Sequence, residues 1–75
     1  MSQPRIRIHN QIKTLRFHNR EMTQQELANQ IGLSRQTVNA IEGGKYSPSL
    51  EVAFRIAQVF DRPLEAVFQY VAKPG

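Results

Sequence analysis

The spacing of apolar positions changes several times along the chain. In Arg5-Ile6-Arg7-Ile8-His9 charged and β-branched residues alternate, the period-two pattern of a short strand. Asn10 can cap the helix after it. From Gln11 to Arg20, Ile12, Leu15 and Phe17 form a helical stripe flanked by Lys13, Arg16 and Arg20. Thr23-x-x-Glu26 is a capping box, so a second helix starts there and runs to about Ile31 with Leu27, Ala28 and Ile31 on one face. Gly32 comes next, where a left-handed residue ends a helix at little cost. Ser34 is a second N-cap, and a third helix spans about Arg35 to Glu42 with Val38 and Ile41 facing inward. Gly43-Gly44 stops it, and Lys45-Tyr46-Ser47 is a loop. Ser47-Pro48 opens a fourth helix, with proline in the first turn and a buried stripe of Leu50, Ala53, Phe54, Ala57 and Phe60. Asp61-Arg62-Pro63 breaks that helix. A short fifth one carries Leu64, Val67 and Phe68, and Phe68 to Ala72 is again rich in strand formers.

The expected fold is therefore mainly all-α: five helices flanked by two strand candidates, at about 5–9 and 68–72. Neither strand is stable alone, and pairing with each other as a small antiparallel sheet satisfies both. Neither an internal repeat nor a linker long enough to separate a second domain is visible. The reading is one domain over residues 1–75 with its core in 10–70.

Composition narrows the function. The chain has 75 residues and 40% hydrophobic content, so it can fold but lies near the lower size limit for a stand-alone core. It lacks cysteine, which rules out disulfides and thiolate metal sites. His9 and His18 have no partners at ligand spacing, so no metal or cofactor is expected. No apolar run approaches membrane-spanning length, and no signal peptide is visible, which makes the cytosol the default compartment. The net charge of +4 and pI near 10.1 suggest a polyanionic partner, although charge of this size alone is weak evidence.

The segment Thr23–Ile41 sharpens the reading. Two helices that meet steeply over a tight turn need a small residue for close approach, a residue permissive at the turn, and apolar anchors on the second helix. Ala28, Gly32, Val38 and Ile41 meet these needs in order, with two N-caps in register. These residues make a helix-turn-helix.

The chain resembles the Cro/C1-type, lambda-repressor-like (XRE) helix-turn-helix family. The resemblance runs through Met22-Thr-Gln-Gln-Glu-Leu-Ala, Gly32-Leu-Ser-Arg-Gln-Thr-Val and Ile41-Glu-Gly-Gly-Lys-Tyr-Ser-Pro-Ser-Leu50. It continues through Ile56-Ala-Gln-Val-Phe to Val67-Phe-Gln-Tyr70. That last block is similar to a subgroup of short, stand-alone bacterial repressors with five helices, a small terminal sheet and a homodimeric state. The resemblance covers about residues 10–70. It implies DNA binding, with a transcriptional regulator, in the first place a repressor on a palindromic duplex operator, as the expected function. Two departures are visible: Gly43-Gly44 replaces the usual Asn-Gly, and Ala40 stands where some phage repressors carry a longer polar side chain.

Within this frame Arg35 and Gln36 open the recognition helix, where arginine can pair with guanine and glutamine with adenine. The plain alternative is a solvated helix start. Thr37 and Asn39 are base-contact candidates, evenly balanced against a solvated role. Gln24 and the free N–H groups at its helix start could hold a phosphate. Ser34 is a cap and a phosphate neighbour, and Lys45, Tyr46 and Ser47 could clasp the next phosphates. The family pattern implies that Arg16 pairs with Glu42 as scaffold. Leu64, Val67 and Tyr70 are the expected dimer surface. The set Phe54, Phe60, Phe68 and Tyr70 reads as core or dimer surface, and Arg5 and Arg7 as a charged strand face in preference to a DNA-grasping arm.

An enzyme is not expected: the chain shows no nucleophile–base pair, carboxylate cluster, glycine-rich loop or metal set. No small-molecule ligand and no membrane contact are expected either. The rival reading is an antitoxin-type protein-interaction module whose DNA binding is autoregulatory.

Overall fold

The two chain segments with alternating pattern pair with each other. In the computed structural model, which describes residues 5–73, strand β1 (Arg5–Asn10) lies antiparallel to β2 (Phe68–Lys73), with Arg5 opposite Lys73, Ile8 opposite Tyr70 and Asn10 opposite Phe68. The side chains of residues 5–7 and 72–73 lie outside the described residues, and with them the charged strand face read from Arg5 and Arg7. Between the strands come five helices: α1 (Ile12–His18), α2 (Gln24–Ile31), α3 (Arg35–Glu42), α4 (Leu50–Phe60) and α5 (Leu64–Val67). The fold is mainly helical with one small antiparallel sheet.

Each helix buries one stripe in a shared core. Ile12, Leu27, Ala28, Ile31, Val38, Ile41, Ile56, Ala57 and Val67 are all nearly inaccessible. Leu15, Met22, Leu33, Val52, Val59, Phe60, Leu64 and Phe68 pack around them half-buried. All five helices thus contribute to a single cluster.

Four sequence expectations need correction. The first helix ends at His18, not Arg20, because Arg20 and Glu21 both take positive φ and turn the chain toward α2. Phe17, two positions beyond Leu15, points away from the helical stripe and is exposed. The fourth helix starts at Leu50, not at Ser47-Pro48. Its cap is Ser49, whose Oγ accepts from the Val52 N–H at 3.2 Å. Its buried face is Ala53, Ile56 and Ala57, while Leu50 and Phe54 are exposed. The sequence Leu-Glu-Val-Ala-Phe-Arg-Ile-Ala-Gln-Val-Phe is apolar around most of the helix, so two overlapping stripes satisfy the period. Only packing against the other helices selects the one centred on Ile56.

Candidate nucleic-acid interface

The turn between α2 and α3 is built by caps at both ends. The Thr23 hydroxyl accepts from the Glu26 N–H at 3.0 Å, and the Glu26 carboxylate accepts from the Thr23 N–H at 2.8 Å, closing the capping box at the start of α2. At its end Gly32 takes φ +75°, and the N–H groups of Gly32 and Leu33 both reach the Ala28 carbonyl. One residue later Ser34 is extended and accepts from the Thr37 N–H at 3.1 Å, so α3 starts at once. Leu27, Ala28 and Ile31 on α2 and Val38 and Ile41 on α3 lock the two helices together. With that face of α3 buried, the opposite face has to be the solvent face. It presents Arg35, Gln36 and Asn39 exposed and Thr37 half-buried. The Thr37 hydroxyl shares a 2.9 Å hydrogen bond with that of Ser34.

A polar clamp holds α3 from the side of α1. Arg16 Nε and Nη2 donate to the two oxygens of the Glu42 carboxylate at 2.8 and 2.9 Å, while Nη1 donates to the Met22 carbonyl at 2.8 Å. One guanidinium thus joins α1, the connection into α2, and the end of α3. The hydrogen bond to Glu42 raises the Arg16 pKa above its ordinary value; burial opposes this, and the charge of Glu42 adds to it.

Gln24 and Asn39 belong to the same network. Gln24 Nε2 donates to Asn39 Oδ1 at 3.2 Å and to Glu42 Oε1 at 3.3 Å. The sequence alone directs Gln24 toward phosphate and Asn39 toward bases, and gives no sign that the two meet. Periodicity carries no signal for this contact, because it depends on the crossing of α2 and α3. Asn39 remains exposed. Beyond α3, Gly44 takes φ +76°, and Lys45, Tyr46 and Ser47 are all exposed in the loop leading to α4.

The three expected dimer residues differ in burial. Val67 is fully buried in the protein's own core and has nothing to offer a partner. Short helix α5 turns it inward, a placement that an apolar pattern four residues long cannot reveal. Leu64 packs half-buried against the same core, whereas Tyr70 is 68% exposed on β2. The aromatics divide likewise: Phe60 and Phe68 support the core, and Phe54 stands out in solvent. Among the described residues no helix is long and apolar enough to cross a membrane, and no cluster of His, Asp and Glu could hold a metal ion.

These features define a helix-turn-helix unit with one polar helix face turned outward. Comparison with known proteins agrees: residues 12–67 match the family model described as Helix-turn-helix, and the chain belongs to this Cro/C1-type family. It is 50% identical over 62 residues to an uncharacterized HTH-type transcriptional regulator of Methanocaldococcus jannaschii, covering 81% of this chain and 91% of that protein. It is 47% identical over 57 residues to another from Methanothermobacter thermautotrophicus, covering 72% and 83% of the two chains. A Bacillus subtilis regulator, YgzD, is 46% identical over 46 residues, 61% of this chain and 70% of its own. Such relatives thus occur in archaea as well as in bacteria, wider than the bacterial subgroup expected from the sequence. The crystal structure of a Bacteroides fragilis protein superposes with a TM-score of 0.71 at 24% identity, over 83% of this chain and 98% of that one, and shares the fold.

Proposed function

We propose that this DNA-binding transcriptional regulator is a repressor that reads a palindromic operator as a homodimer. The observation that carries the proposal is the division of α3: Val38 and Ile41 are sealed in the core, while Arg35 and Gln36 are exposed on the other side together with Asn39, whose Oδ1 is held by Gln24. A helix anchored along one face, with fork-shaped and amide donors along the other, suits the major groove. In this reading Arg35 and Gln36 contact bases, with Thr37 and Asn39 beside them. Ser34, Lys45, Tyr46 and Ser47 contact phosphates, and Gln24 does so through its backbone N–H, because its side-chain amide donates to Asn39 and Glu42. Gln24 lies in the first turn of α2, where unpaired N–H groups and the helix dipole favour an anion.

Two copies would set their α3 helices in successive major grooves about 34 Å apart. Exposed Tyr70 and half-buried Leu64 are the residues left to form the dimer contact. The test is selection of bound duplexes from a random pool. Recovery of a palindromic consensus whose half-sites lie one helical turn apart is the expected result. Recovery of unrelated sequences would refute the reading.

A further inference from the structure

Asn10 makes contacts on both sides of its amide. As the last residue of β1, it accepts at Oδ1 from the Ile12 N–H at 3.2 Å, which starts α1. Its Nδ2 donates to the carbonyls of Ile41 at 3.1 Å and Glu42 at 3.3 Å. Those two carbonyls lie in the last turn of α3, where a helix runs out of internal donors. Other donors there come from the adjoining loop: the Gly44 N–H reaches the Ile41 carbonyl at 3.1 Å and the Lys45 N–H the Ala40 carbonyl at 2.9 Å. Asn10 alone in this group comes from a distant element.

The backbone around Asn10 is fixed. It pairs with Phe68 across the ribbon, and the next N–H, of Gln11, donates to the Val67 carbonyl at 2.8 Å. The side chain of Gln11 also reaches that of Gln69 at 3.2 Å. The amide is therefore carried on a rigid mount. The helix it meets is only eight residues, about 12 Å, long. Arg35 and Gln36 stand at the opposite end of it.

We propose that Asn10 is a positioning residue for DNA reading. It ties the β1–β2 ribbon to the end of α3 and so sets the tilt at which Arg35 and Gln36 meet base edges. The inference rests on the base-reading role of α3 proposed above. Hydrogen bonds to bases need donor–acceptor distances of about 2.7–3.2 Å and good alignment. A small tilt therefore breaks them, while the exposed loop residues Lys45, Tyr46 and Ser47 still reach the phosphates. Loss of Asn10 lowers sequence preference and leaves general affinity nearly intact.

Asn10→Asp removes the contact to α3 and sets a negative charge against the Ile41 and Glu42 carbonyls. The carboxylate still accepts from Ile12 and suits a helix start, but it cannot donate to α3. Asn10→Ala is the uncharged companion. For both variants, affinity is measured for the duplex the unaltered protein selects and for an unrelated duplex, and amide hydrogen exchange is followed at Gly43, Gly44 and Lys45. The preference ratio should fall about tenfold, the scale of one good base contact. Exchange at these amides should rise relative to α2. Preference unchanged with faster exchange would reduce Asn10 to a helix cap and overturn the proposal, as would unfolding of both variants. If the unaltered protein prefers no duplex, the base-reading role of α3 is what has failed, a result distinct from an unaltered ratio in the variants, and the proposal falls with it.

Discussion

Arg16 and Glu42 meet through two parallel N–H···O bonds in a setting where their side chains keep only 15% and 10% of their surface. A pair this sheltered differs from a surface salt bridge: removing one member leaves the other charge buried without compensation. Arg16→Met should cost about 3–5 kcal/mol in chemical denaturation. Arg16→Met with Glu42→Leu should recover some of that loss, though not all, because Gln24 and the Met22 carbonyl also lose partners. The raised Arg16 pKa fixes the sign of the pH effect. Its stabilisation is fully present below the ordinary arginine pKa and is lost only as pH rises through the raised value. Stability between pH 6 and 9 should therefore be indifferent to arginine titration.

The end of α2 depends on backbone freedom more than on space. A Cβ on Gly32 would meet nothing nearer than Arg55 Nη1 at 4.0 Å, yet its φ of +75° strains any other residue. Gly32→Ala should destabilise by about 1–2 kcal/mol. At the end of α4, Asp61 occupies the same conformation at φ +53° without being glycine. Asp61→Gly should be neutral or stabilising by up to about 1 kcal/mol, the relieved strain being offset in part by a freer unfolded chain. Thermal unfolding of the two variants checks both signs.

Burial separates residues of similar type. Leu27 is inaccessible and Leu50 is 66% exposed. Leu27→Ala should cost about 2–5 kcal/mol, and Leu50→Ala less than about 0.5 kcal/mol. Equal losses in urea titrations would mean that α4 turns the other stripe to the core.

On the DNA side, Arg35→Ala and Gln36→Ala should each cost roughly 1–3 kcal/mol on the selected operator and relax preference at one base pair. Lys45→Ala should weaken all duplexes alike and reduce the slope of log affinity against log salt by about 1. Filter-binding or anisotropy titrations at several salt concentrations distinguish the two patterns.

Tyr70→Ala tests the dimer. Because the ring is exposed, the fold should survive, while specific binding should collapse on dilution at higher protein concentrations than for the unaltered chain. Sedimentation of the free protein gives the same answer without DNA. An unchanged dilution midpoint would place the contact elsewhere.

Much of the architecture was legible because its signals are local. The Thr23-x-x-Glu26 box, Gly32 and Ser34 each act within four residues, and the structure uses them as the sequence suggests. The strands were legible by alternation and each extends one residue further than expected. The hidden features depend on how elements meet. The core-facing stripe of α4, the inward turn of Val67 and the meeting of Gln24 with Asn39 are decided by helix packing, which a one-dimensional period does not contain. Asn10 lies between these cases: its side chain does take the Ile12 N–H, a local contact, although the N-cap position is Gln11 and not Asn10 as expected, and its reach to Ile41 and Glu42 was not visible.

The β1–β2 ribbon has a consequence for the order in which the chain assembles. Pairing Arg5 with Lys73 closes a loop that takes in all five helices, so it carries the largest closure entropy of any contact among the described residues. The helical core should form first and the ribbon last. The unfolded chain would be restrained most by a bond placed across that pairing. A crosslink between β1 and β2, or a short peptide joining their outer ends into a ring, should stabilise by up to about 4 kcal/mol and would leave every element in place. The molecule is, in topology, a circle held shut by backbone hydrogen bonds.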